Sequence, residues 1–98
     1  LYPEVDATLF TKSATSMPKL LKDAASITNK LATSPSFARQ VMSAAQQSKK
    51  DEVKRLLRSV GIQSELEVSF NPNTIHVTLS PKKGEFACCQ LTFLLYWR

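Results

Sequence analysis

The sequence predicts an α+β fold in which three or four short helices precede, and pack on, a three-stranded antiparallel β-meander. Two observations carry that reading. Apolar residues recur with a helical period up to about residue 62 and with a period of two after it. Turn signals stand where strands should reverse, at Asn71-Pro72-Asn73 and at Ser80-Pro81-Lys82-Lys83-Gly84. At 98 residues, 43% hydrophobic and 21% charged, the chain has the balance of one small domain with one core. The division expected is an N-terminal arm over 1–15, a helical part over 16–62 and a sheet over 63–98. Leu1 stands where Met would open a chain, so trimming or processing is expected.

In the arm, Asp6 suits the cap of a short turn through Ala7-Thr8-Leu9-Phe10. Ser16 as N-cap, with Pro18 in the first turn, then predicts a fuller helix. Leu20, Ala24, Ile27 and Leu31 form its apolar stripe, while Lys19, Lys22, Asp23 and Lys30 fall mainly off it. Pro35 disfavours helix at Ser34, and Ser34 or Ser36 caps a second helix lined by Phe37, Val41 and Ala44. Asp51 caps a third, with Val53, Leu56, Leu57 and Val60 on one side. Gly61 followed by Ile62 stops it.

Leu66, Val68 and Phe70 alternate with polar residues, as do Ile75, Val77 and Leu79. If Phe70 faces Ile75, Val68 faces Val77, and both apolar sets share a face. A third strand is predicted from about Glu85 to Tyr96. Its core face carries Ala87, Cys89, Leu91, Phe93, Leu95 and Trp97. Its reverse face carries Phe86, Cys88, Leu94 and Tyr96 among polar residues. A strand apolar on both sides needs cover on both sides. That cover is either the N-terminal segment, with Tyr2, Val5, Leu9 and Phe10, or a second copy of the chain.

The chemistry-bearing residues are few. Cys88 and Cys89 are adjacent, and strand neighbours point to opposite faces, so they are not expected to bond to each other. Cys89 reads as a small core residue. Cys88 is either a bystander or a cross-link between molecules. His76, Glu67 and Cys88 are the residue types of a catalytic group, but no nucleophile turn, Gly-rich oxyanion loop or second acid accompanies them. Both glycines, Gly61 and Gly84, serve turns, which leaves none for a phosphate-cradling loop. No cofactor, metal cluster or membrane span is expected, and the chain reads as no enzyme. A net charge of +5 allows a polyanionic partner. Lys49, Lys50, Lys54, Arg55 and Arg58 supply the stripe for it, although no aromatic residue interleaves for base stacking.

Several segments together resemble a largely uncharacterised family of small proteins from spore-forming bacilli. They are Tyr2-Pro3-Glu4-Val5-Asp6, Ser34-Pro35-Ser36-Phe37-Ala38, Ala44-Ala45-Gln46-Gln47-Ser48 and Ser59-Val60-Gly61-Ile62. Phe70-Asn71-Pro72-Asn73-Thr74-Ile75-His76, Cys88-Cys89-Gln90-Leu91 and Trp97-Arg98 complete the set. The resemblance implies a structural or assembly role in the sporulating cell or spore coat, with other coat-type proteins as partners, and assigns no functional residue. The leading expectation is a non-enzymatic protein that self-associates through Phe86, Cys88, Leu94 and Tyr96. The alternative is a small nucleic-acid-binding module using the Lys49–Arg58 helix.

Overall fold

The computed structural model describes residues 4–98. Three helices, α1 (Thr8–Thr33), α2 (Pro35–Gln46) and α3 (Lys50–Arg58), precede strands β1 (Glu65–Phe70), β2 (Thr74–Ser80) and β3 (Leu91–Tyr96). The strands form an antiparallel sheet in the order β1-β2-β3, which is the α+β meander expected.

The first helix is longer than its sequence signals suggest. Asp6 Oδ1 accepts the Thr8 amide at 3.0 Å, and from there α1 runs unbroken to Thr33 with Pro18 inside it. Ser16 does not cap: its hydroxyl donates back to the Lys12 carbonyl at 3.2 Å, and Thr15 does the same to Thr11 at 2.8 Å. Such backward bonds are the alternative open to a hydroxyl residue inside a helix. Ser34 closes one helix and opens the next. Its amide donates to the Lys30 carbonyl, and its Oγ accepts the Phe37 amide at 3.3 Å, with Pro35 in the first turn of α2. Lys49, not Asp51, occupies the N-cap position of α3. Asp51 and Glu52 lie in its first turn and Arg55 and Arg58 in its last, signs that favour both ends of the helix dipole.

The hairpin register is the one expected, with Val68 opposite Val77 and Phe70 opposite Ile75. Asn71 Oδ1 accepts the amides of Asn73 and Thr74, at 2.8 and 2.9 Å, which fixes the turn. Ile27, Val53, Leu57, Leu66, Val77 and Leu79 are the most deeply buried large residues, so the helical layer and one sheet face share a single core. Each such side chain stabilises the fold by about 1.5–3 kcal/mol.

Two strand-level expectations are corrected. β3 begins at Leu91, not Glu85, because pairing of Leu79 with Leu91 brings the ladder to the end of β2 and Pro81 follows. Residues 85–90 therefore have no strand to join, and Ala87 is exposed instead of facing the core. Outside a strand the alternation of side chains lapses, and Cys88 and Cys89 are disulfide-bonded to each other. Asp23, expected off the apolar stripe of α1, is buried.

Candidate self-association surface

The sheet has one covered face and one open one. Leu91, Phe93 and Leu95 point inward and pack against the core, though less completely than the inner residues of β1 and β2. Thr92, Leu94 and Tyr96 point outward, and Leu94 and Tyr96 are 40% and 77% exposed. Thr92 shares a hydroxyl hydrogen bond with Thr78 of β2 at 3.0 Å, so the outer face is ordered up to the β3 edge.

The four residues expected at the interface do not form one row. Leu94 and Tyr96 stand two apart on the outer face of β3, whereas Phe86 and Cys88 lie in the irregular segment before it. Phe86 is exposed, with Lys12 Nζ from α1 placed 4.4 Å from its ring centroid. Cys88 is half-buried and tied to Cys89, and its amide donates to the Phe86 carbonyl. Cys89 is half-buried and packs against the edge of the core, not within it as a small core residue would.

The N-terminal cover for the outer face is not formed by the described residues. Val5, Leu9 and Phe10 are all exposed, and Tyr2 lies outside the described residues. Leu9 and Phe10 continue the core-facing line of α1 beyond Met17 and Ser13, past the point where the core ends.

The basic stripe is largely engaged at home. Lys54 Nζ meets Glu67 Oε1 at 3.1 Å, Arg58 lies 3.9 Å from Glu65, and Arg55 pairs with Glu52. The hydrogen bond from Lys54, with the charge of the same ammonium, holds the Glu67 carboxyl below its ordinary value near 4.5. Arg55 does the same to Glu52 by hydrogen bonding. The Lys54–Glu67 and Arg58–Glu65 pairs join α3 to β1, while Arg55–Glu52 lies within α3. Lys49 and Lys50 have no carboxylate partner among the described residues.

No convergent chemistry appears elsewhere among the described residues. His76 pairs across the ladder with Ser69, and Cys88, spent in its bond to Cys89, offers no free thiol to it. A surface hollow of about 690 Å³ beside α1 sets Lys19, Lys22 and Lys82 among Asp23 and Glu85, and so carries mixed charge. Among the described residues no group of three His, Cys, Asp or Glu side chains is placed to hold a metal ion. No described helix is long and apolar enough to cross a membrane.

Sequence reasoning missed two features of weight. Asp23 accepts the amides of Gln63 and Ser64 at 3.1 and 2.9 Å, and the Ser64 hydroxyl as well, so it clamps α1 to the entry of β1. The signal was its spacing, three after Leu20 and four before Ile27, which places it on the buried stripe. The adjacent disulfide had no such signal, because its possibility depends on where β3 begins.

Residues 7–90 match a family described as YuzC spore coat inner layer protein. A relative from Bacillus subtilis (strain 168), named "Uncharacterized protein YuzC", is 31% identical over 70 residues, which are 71% of this chain and 57% of the relative. The matched region thus spans little more than half the length of that curated relative. No solved structure matches the chain. The family match covers the three helices, the β1–β2 hairpin and the adjacent cysteines, and the chain belongs to the YuzC spore coat inner layer protein family.

Proposed function

We propose that the chain is a non-enzymatic structural component of the spore coat inner layer, which assembles with copies of itself through β3 and its surroundings. The observation that carries this is the outer face of β3, where Leu94 and Tyr96 stand exposed on a strand with no charged residue. Exposed apolar residues clustered on a sheet mark a contact surface, whereas scattered ones need no explanation. Phe86 and Cys88, in the irregular segment before the strand, are its further contact residues. While Cys88 is bonded to Cys89, contact through it is non-covalent. The family name supports the location, and other coat proteins are the further partners it suggests.

The nucleic-acid reading gains no support from the geometry, because three of its five basic groups face carboxylates. The test is light scattering on a sizing column at moderate salt, with and without reductant. The expected result is a mass above that of one protomer, rising with loading concentration into the millimolar range, in both buffers. A monomer throughout would overturn the assembly reading.

A further inference from the structure

The two edges of the sheet are built differently. Along β1, Glu65 and Glu67 carry charge and are engaged by Arg58 and Lys54 of α3. Charged side chains and a neighbouring helix are the usual devices that stop a strand edge from pairing with another chain. β3 touches α1 but has no charged side chain of its own. From Phe86 to Trp97 the sequence contains no Lys, Arg, His, Asp or Glu. In a chain of net charge +5, two copies approach most easily where neither carries charge.

The backbone of β3 shows what that edge offers. Trp97 donates its amide to the Asn73 carbonyl, and Asn73 lies opposite Trp97 when the register of Thr74 with Tyr96 is continued. In an antiparallel ladder, hydrogen-bonded pairs alternate with non-bonded ones. Leu91, Phe93 and Leu95 therefore turn their N–H and C=O groups toward β2. Thr92, Leu94 and Tyr96 turn theirs away, onto the free edge, and no other backbone hydrogen bond among the described residues reaches them.

We infer that β3 pairs antiparallel with β3 of a second copy across a two-fold axis at Leu94, which joins two three-stranded sheets into one of six. This inference rests on the self-assembly proposed above and specifies its contact. Residues directly opposed in an antiparallel pair share a face, so a register must pair even residues with even ones. With Leu94 opposite Leu94 of the partner subunit, Thr92 faces the partner's Tyr96, and all three free residues of each copy exchange both hydrogen bonds. Moving the axis to Phe93 pairs Thr92 with the partner's Leu94 and leaves the Tyr96 groups without a strand residue opposite. The Leu94 register also pairs Phe93 with the partner's Leu95 on the inner face, so apolar meets apolar there.

The contact is modest. Six residues of edge and two outward apolar side chains bury on the order of 500 Å² per copy, against about 800 Å² for a standard stable interface. The dimer should accordingly form with a Kd of about 10–1,000 μM.

The test is residue-resolved amide hydrogen exchange on the 98-residue chain across that concentration range, with mass followed by sedimentation. The amides of Thr92, Leu94 and Tyr96 should slow about fivefold or more as dimer forms, while those of Phe93 and Leu95, already bonded to β2, stay slow throughout. In a Cys88→Ser, Cys89→Ser background, Leu94→Cys should give a covalent dimer on mild oxidation, because paired Cα atoms lie about 5.5 Å apart. Thr92→Cys should not, since four residues separate the two copies of Thr92, roughly 13 Å. Association without slowing of the three amides would overturn edge pairing and leave the assembly reading standing. A monomer at every concentration would overturn both.

Discussion

Asp23 shows how much one side chain decides. A carboxylate placed on the apolar stripe of a helix is costly to bury unless its lone pairs are used, and here two amides and a hydroxyl use one oxygen of it. Asp23→Ala removes the acceptor and leaves the Gln63 and Ser64 amides in want of one, so a loss of about 2–4 kcal/mol is expected in urea unfolding. A loss under about 0.5 kcal/mol would show that the clamp does not hold β1 to α1. Thr74 is the opposite case: its side-chain oxygen is buried with no partner among the described residues. Thr74→Val removes an unpaired hydroxyl at nearly constant shape, so stability should hold or rise by up to about 1 kcal/mol. The depressed carboxyls of Asp6, Glu52 and Glu67 set a direction with pH. Their folded forms bind protons less readily than the unfolded chain, so what they contribute is complete above their ordinary values, near 3.8 for Asp6 and 4.5 for Glu52 and Glu67, and is lost as pH falls through their folded values. These groups are exposed, so the decline should be shallow. Lys54→Met should flatten it further in acid titrations of the unfolding midpoint.

At the scale of elements, the parts legible in the sequence were those whose cause is local. The Ser34-Pro35 boundary follows from the proline and a hydroxyl cap, and the Gly61 stop from its positive φ of 96°. The hairpin register followed from alternation alone. What misled were signals with two physical outcomes. Ser16-Met17-Pro18 reads as a helix start, yet the same serine bonds backward within a helix and the proline is tolerated on an exposed turn. Pro18 withholds one backbone donor, so Pro18→Ala should stabilise the chain by about 1–3 kcal/mol in denaturant unfolding. If the helix instead opened at Ser16, that substitution would be neutral or harmful. The start of β3 was illegible for another reason. The run from Phe86 onward is apolar throughout, and only the length of β2 decides how much of it can pair. The adjacent cysteines inherited that error, because opposite faces exist only inside a strand.

For the whole molecule, one asymmetry links fold to function. Helices cover one sheet face and charged side chains guard the β1 edge, while β3 keeps an open outer face and an uncharged edge. The sequence shows the doubly apolar strand but not which of its faces the arm leaves bare, since that depends on where α1 points. With α1 continuous from Thr8, Leu9 and Phe10 are carried past the core and β3 stays open on its outer side. In a chain of the spore coat inner layer family, that open surface is what the proposed self-assembly rests on. The most direct test compares the native chain with Leu94→Lys by sedimentation over rising concentration, with circular dichroism to monitor folding. The account expects the native chain to associate and the variant to remain a folded monomer. A native chain that stays monomeric, or a folded variant that associates equally well, would contradict it.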